Sequence, residues 1–235
     1  MPTPSFETAH RVARELHIQL WRRKEELWPD PPRVVLDILP LDLDLVATRL
    51  LGLHIERVSE IPGDVDGCPT AGLWYPEEKV IVIATSFDLV VQRFTLGHEI
   101  GHYVFRHTMG TLHRDRPLDG GDRHAPKRNP LERAADMFSA ALLMPTLELR
   151  TTFENLYKVP ISGPNVKEHV IFHLHVPDKG RIDMKTFASA PVRERSRWIA
   201  ANSCIDGLDV RPLADMFGVS VTAMAIELED LELVS

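Results

Sequence analysis

Two histidines and a glutamate lie close together near the middle of this 235-residue chain, in the run His98-Glu99-Ile100-Gly101-His102. On a helix, residues four apart lie one above the other, so His98 and His102 can direct two imidazole nitrogens at one metal ion. Glu99 projects from an adjacent position, near enough to reach a water bound to that metal. This H-E-x-x-H pattern is typical of zinc peptidases, in which the carboxylate takes a proton from the water.

The residues around the pattern indicate a helix inside a core. Gly97 and Gly101 are poor helix formers, and we expect them to leave room beside the histidines for a metal and a substrate. The alternative is a buried helix whose histidines are only hydrogen-bonded, and a third ligand would argue against it. The neighbouring side chains are apolar: Phe94, Leu96, Ile100, Val104 and Phe105.

A third ligand is predicted on a second helix, in the run NPLERAADMFSAALLMP that begins at Asn129. Asn129 is a good N-cap, and Pro130 suits the first helical turn. Glu132 and Asp136 are four residues apart and share a face. We interpret Glu132 as the third ligand and Asp136 as the acceptor of a ligand histidine's second N–H. Glu132 also fits a capping box with Asn129, but a zinc site with two protein ligands would be incomplete.

Together these blocks resemble a known family. The run FTLGHEIGHYVFRH, followed further along by ExxADxFxAxLLMP, is similar to the ImmA/IrrE metallo-endopeptidases. Residues 71–84 resemble the strand pair that precedes the family's active-site helix. Residues 213–234 resemble its C-terminal helical segment, although Glu227 stands where family members often carry Arg. The resemblance covers roughly residues 45–145 and, less fully, 210–234.

The resemblance implies a zincin-like fold, with His98, His102 and Glu132 as metal ligands and Glu99 as the general base. Family members are known for cleaving, or otherwise relieving, helix-turn-helix repressors that are often encoded beside them. We therefore expect a zinc-dependent endopeptidase, with another divalent metal as the alternative to Zn²⁺. Its expected partner is a protein substrate, a helix-turn-helix transcriptional repressor.

The sequence is also compatible with two other functions. The same ligand set would suit a non-proteolytic antirepressor that binds and sequesters a repressor. The segment from Leu213 to Ser220, followed by a helix, looks like a helix-turn-helix, so a DNA-binding regulator is the other alternative. The acidic residues of the last helix would face phosphates unfavourably, so we expect no direct binding of nucleic acid. They are Glu227, Glu229, Asp230 and Glu232.

Composition and charge agree with an intracellular enzyme. The net charge of -7 disfavours extended contact with nucleic acid phosphates. Cys68 and Cys204 are the only cysteines and do not make a disulfide framework. The N-terminal stretch lacks an apolar signal core, and no stretch approaches the roughly 20 apolar residues of a membrane span. We therefore expect a cytoplasmic protein that does not bind membranes.

The predicted layout is α+β, a small sheet that carries the H-E-x-x-H helix and a second ligand helix. We expect a zincin-like metallopeptidase domain with N-terminal helices at 1–158, and a mainly helical region with a helix-turn-helix-like end at 159–235. Helices are predicted at 6–27 and 41–51, strands at 54–58, 72–75, 79–84 and 166–176, and a turn-rich loop at 62–69.

The connection between the two ligand helices, residues 108–128, is rich in Gly, Pro and charge and is predicted to be a surface loop. The alternative is an active-site lid that supplies an oxyanion stabiliser. Tyr103, His107, His113 and His124 are candidates for that stabiliser, and spacing does not choose among them. His169, His173 and His175 share one face of the last predicted strand, so a second metal site is an alternative to a solvated face there.

Overall fold

The computed structural model describes residues 5–65, 68–107, 112–114, 129–158, 161, 174–176, 180–205 and 207–235. The chain is α+β, as predicted, and divides into two compact units, Met1–Pro145 and Thr146–Ser235. The first unit contains a small sheet and the two predicted ligand helices, and the second is mainly helical. The domain boundary expected after residue 158 stays a prediction.

Helices precede the sheet in the first unit. Helix α1 (Phe6–Arg22) begins after Ser5, whose hydroxyl accepts a hydrogen bond from the N–H of Thr8. It ends at Arg23, and the short helix α2 (Lys24–Leu27) follows, so the helix predicted for 6–27 is divided in two. The segment continues through a 3-10 turn (Val35–Ile38), α3 (Leu43–Leu45) and a π-helical turn (Val46–Leu50).

A five-stranded sheet follows, made of β1 (His54–Val58), β2 (Ile61–Val65), β3 (Cys68–Tyr75), β4 (Val80–Ala84) and β5 (Leu112–Arg114). Strands β3 and β4 form the predicted antiparallel hairpin, and β1 runs parallel to β4. Strand β2 overlaps the stretch 62–69, which is predicted to be a turn-rich loop because Pro62 and Gly63 are typical of turns. Strand β5 lies within the connection that is predicted to be a loop.

Strand β5 lies on the outer edge of β3. Gly72 pairs with β4 through Ile83 and with β5 through His113, and Leu73 also pairs with both strands. A residue in a sheet pairs with one strand on each side. It follows that β5 covers the edge of β3 that faces away from β4.

The two ligand helices pack directly on each other. They are α4 (Leu89–Val104), which carries the H-E-x-x-H pattern, and α5 (Pro130–Leu143), which carries Glu132. A Cβ on Gly101 would lie 3.1 Å from the Cα of Ala135, and one on Gly97 would lie 2.5 Å from Oγ of Ser139. These glycines therefore make room for α5, and the prediction that they leave room for a metal and a substrate is wrong.

The second unit begins with α6 (Thr146–Tyr157). Its later elements are β6 (His175–Val176), β7 (Gly180–Arg181), α7 (Met184–Ser189), α8 (Val192–Ala201), β8 (Cys204–Ile205), β9 (Leu208–Asp209), α9 (Leu213–Phe217) and α10 (Val221–Asp230). The turn that resembles a helix-turn-helix is built by Gly218, whose φ of 64° ends α9, and by Ser220, which caps α10. In the part of the chain that the structure describes, no helix has both the length and the apolar surface to cross a bilayer.

Candidate metal centre

The three predicted ligand side chains meet between α4 and α5. One ligand atom from each of His98, His102 and Glu132 lies within 4.8 Å of the other two. The Nε2 atoms of the two histidines are 2.9 Å apart. A carboxylate oxygen of Glu132 lies 3.2 Å from Nε2 of His98, and its other oxygen lies 3.5 Å from Nε2 of His102. Two imidazole nitrogens and one carboxylate are the donor set of a zinc site with an open fourth position.

The direction of the Glu132 side chain bears on the capping alternative. The side chain of Asn129 caps α5 by accepting a hydrogen bond from the N–H of Leu131. Both carboxylate oxygens of Glu132 face the histidine rings instead of the start of the helix. This direction favours the ligand role of Glu132 over the capping role.

Asp136 holds the ring of His98, as predicted. Its Oδ1 lies 2.9 Å from Nδ1 of His98, one helical turn beyond Glu132. When Nδ1–H donates a hydrogen bond to this carboxylate, the lone pair of Nε2 is directed at the centre of the cluster. The sequence pattern Glu132-x-x-x-Asp136 therefore places a ligand and the partner of another ligand on the same face of α5.

The two histidines hold their protons unequally. Burial lowers the pKa of His98, but hydrogen bonds to Asp136 and Glu132 outweigh burial and raise the pKa to about 10. Burial and the neighbouring His98 lower the pKa of His102 to about 3. Without a metal, His98 therefore holds an added proton more readily than His102 does. A divalent ion would displace it, because imidazole binds metals in its neutral form.

Glu99 is fully buried and lies against β3. Neither of its carboxylate oxygens has a hydrogen-bond partner in the part of the chain that the structure describes. Burial raises the pKa of Glu99 to about 8, although the nearby His98 opposes the increase. A carboxyl group with such a pKa can accept a proton and release it again near neutral pH.

The candidates for an oxyanion stabiliser lie in different places. The ring of Tyr103 packs edge-to-face on Trp74, with the ring centroids 5.6 Å apart. The ring of His107 lies on the far side of His102, with its Nδ1 atom 2.7 Å from Nδ1 of His102. His113 is on β5, and His124 lies outside the described residues. His107 thus contacts Nδ1 of His102, on the side of that ring away from the metal-ligand cluster. An oxyanion stabiliser would have to lie on the side of the metal where the substrate carbonyl binds.

The second metal site considered on the last predicted strand depends on residues outside the described part of the chain, since residues 166–173 are not described. The described residue of that set, His175, is exposed on β6. Its Nδ1 atom lies 3.4 Å from the hydroxyl of Ser203. Among the described residues, His98, His102 and Glu132 are the cluster that could hold a metal.

Comparison with protein-family models agrees with this geometry. Residues 53–159 match the model of the IrrE N-terminal-like domain, peptidase family M78. A solved structure, a Mycobacterium tuberculosis transcriptional regulator, is similar at 18% identity with a TM-score of 0.36, over 66% of this chain. The similar part spans 45% of that regulator. No protein with a curated description matches the chain. Because the matched residues enclose the sheet, both predicted ligand helices and the candidate metal-ligand cluster, the resemblance to the ImmA/IrrE family is confirmed over residues 53–159, which match an IrrE N-terminal-like domain.

Proposed function

We propose that the protein is a zinc-dependent endopeptidase, in which His98, His102 and Glu132 hold the metal and Glu99 is the general base. The observation that carries this proposal is the position of Glu99. A fully buried carboxylate with no described hydrogen-bond partner lies next to two imidazoles and a carboxylate that converge on one point. A buried carboxyl group without a hydrogen-bond partner destabilises a fold, so its presence is best explained by a function.

Each group around the centre has a defined role in this proposal. A divalent ion bound there would polarise the peptide carbonyl and lower the pKa of water. Glu99 takes the proton of the attacking water and passes it to the leaving nitrogen. Asp136 keeps the proton of His98 on Nδ1, so that Nε2 presents its lone pair to the metal.

The outer edge of β3 offers a place for an extended substrate. The chain's own β5 pairs antiparallel with β3 at Thr70, Gly72 and Leu73, so this edge accepts an added strand. Gly72 lies against Glu99, which brings the edge close to the general base. A peptide is often recognised as an extra strand on a sheet edge. We infer that a substrate segment pairs with β3 in the place of β5.

The family supports a protein substrate, and we propose a helix-turn-helix repressor, cut once in an exposed linker or near its dimer-forming segment. The second unit does not favour direct reading of DNA. Residues 223–228 of α10 are all buried, and Glu229 makes two 2.8 Å hydrogen bonds with Arg193. A recognition helix needs an exposed face that enters the major groove. The acidic residue Glu227 is thus part of the packing of α10.

The test is to mix the purified protein, loaded with Zn²⁺, with the helix-turn-helix regulator encoded beside it. Two discrete fragments are expected, and the Glu99→Gln variant should give none. A chelator should stop cleavage, and added Zn²⁺ should restore it. Tight binding of the repressor without fragments would favour the sequestering alternative. Specific, salt-sensitive DNA binding by the protein alone would favour the regulator alternative.

A further inference from the structure

His107 is held in place by the way α4 ends. The N–H of His107 donates to the carbonyl of His102 at 2.9 Å, and the N–H of Arg106 donates to the carbonyl of Tyr103 at 3.0 Å. Arg106 has a φ of 57°. This pair of hydrogen bonds with a left-handed residue between the helix and His107 is a Schellman motif, which turns the chain back over the last helical turn. The motif brings the ring of His107 onto the ring of His102.

The ring contact involves the outward nitrogen of His102. The two Nδ1 atoms are 2.7 Å apart, the ring centroids are 4.9 Å apart, and both rings are buried. Two nitrogens at this distance share one proton. Nε2 of His102 faces His98 and Glu132, and it can offer a lone pair there only when the neutral ring carries its proton on Nδ1. Nδ1 of His107 is then the acceptor.

We propose that His107 is the positioning residue of His102: its Nδ1 accepts a hydrogen bond from Nδ1–H of His102 and so selects the tautomer and the ring orientation in which Nε2 binds the metal. This inference rests on the proposed metal site. Each ligand histidine then has its own partner. Asp136 holds His98 from α5, and His107 holds His102 from the end of the same helix. Partners of this kind typically change metal affinity about 10- to 100-fold when they are removed.

The test compares three replacements of His107. Asparagine places its amide oxygen near the position of Nδ1 and keeps an acceptor, whereas leucine fills a similar volume without one. Glutamine keeps a polar amide but places its oxygen near the position of Nε2. The dissociation constant for Zn²⁺ is measured by competition with a chromophoric chelator, and the absorption spectrum of the Co²⁺-loaded protein reports the geometry of the ligands. His107→Leu and His107→Gln should bind Zn²⁺ about 10-fold or more weakly and alter the spectrum, and His107→Asn should stay within about threefold of the wild type.

A matched control is His17→Leu, which removes a partly buried histidine whose ring donates to the carbonyl of Leu142. It should leave the affinity for Zn²⁺ unchanged. Wild-type affinity in His107→Leu or in His107→Gln would overturn the inference, as would an equal loss in His107→Asn. If the leucine variant does not fold, the contrast between the two amides decides. A wild-type protein that binds no divalent metal would instead overturn the proposed function itself.

Discussion

A Cβ atom on Gly72 would lie 3.2 Å from Oε1 of Glu99 and closer still to the methyl group of Thr95. The absence of a side chain at Gly72 therefore allows β3 to lie directly on α4 at the position of Glu99, the proposed general base. The same glycine pairs with both β4 and β5. Through Gly72, the outer edge of β3 therefore lies close to the buried carboxylate of Glu99.

Replacing Gly72 should displace Glu99, the proposed general base, and have a smaller effect on the rest of the fold. We expect Gly72→Ala to push Glu99 and Thr95 away from β3, to lower kcat/KM at least about tenfold, and to lower the free energy of unfolding by about 1–3 kcal/mol, as overpacking does. Zinc content should stay near that of the wild type, because the contact does not involve a ligand. Cleavage kinetics, urea unfolding and metal analysis measure the three effects.

The control for this prediction is Thr95→Ser, which removes the methyl group nearest to the added Cβ and keeps the hydroxyl. In the double variant Gly72→Ala/Thr95→Ser, part of the lost stability and activity should return. Thr95→Ser alone should change both only slightly. A double variant no better than Gly72→Ala would mean that the contact with Thr95 is not the cause.

The ligand assignment predicts a loss of metal from three different single variants. His98→Ala, His102→Ala and Glu132→Ala should each lose the bound divalent ion, because each removes one of three protein donors. If Glu132 were only a capping residue, Glu132→Ala would lower the free energy of unfolding by about 1 kcal/mol and keep the metal. Metal analysis of purified wild type and variants separates these outcomes. Equal metal content in all four proteins would exclude the site.

Glu99 is assigned to proton transfer, so Glu99→Gln should behave differently from the ligand variants. We expect it to bind Zn²⁺ like the wild type and to lose peptide cleavage, since the amide cannot accept a proton. Because the substitution also removes a buried carboxylate without a described partner, the free energy of unfolding should rise. Cleavage by Glu99→Gln at the wild-type rate would assign the base to another residue.

The arrangement of the candidate metal centre is largely predictable from the sequence because its parts are local. His98 and His102 share a face of one helix, and Glu132 and Asp136 share a face of another, so the spacing alone brings each pair together. The sequence favours Glu132 as a ligand over its capping role because a zinc site with two protein ligands would be incomplete. It does not show the packing of the second helix on the first. That packing depends on Gly97 and Gly101, whose contacts with α5 join residues far apart in the chain.

The unpredicted features depend on contacts that the sequence pattern hides. Strand β5 is defined by its pairing with β3, which is distant in the sequence, and its own residues lie in a stretch typical of loops. The position of His107 depends on a Schellman motif, which is usually signalled by a glycine at the left-handed residue. Here Arg106 takes that conformation, with a φ of 57°. Nothing in the spacing alone therefore distinguishes His107 from the other candidate histidines.

Stability should depend on pH through His17, which lies away from the metal centre on α1. Its Nε2 atom donates to the carbonyl of Leu142 at 2.9 Å. Burial lowers the pKa of His17 below 6.5, although this hydrogen bond opposes the decrease. The unfolded chain therefore takes up the proton first as the pH falls. The contribution of His17 to the free energy of unfolding is complete above pH 6.5 and is lost as the pH falls from there towards the folded pKa.

The matched variant is His17→Gln, whose amide nitrogen can donate to Leu142 from the place of Nε2 but does not titrate. Urea unfolding of both proteins, with a chelator present, gives the free energy of unfolding between about pH 8 and pH 5. Other titrating groups contribute equally to the two curves, so their difference isolates His17. The two curves should run parallel above pH 6.5, and the wild type should lose stability relative to His17→Gln below it. Curves that stay parallel over the whole range would show that His17 takes up its proton equally well in the folded and unfolded chains.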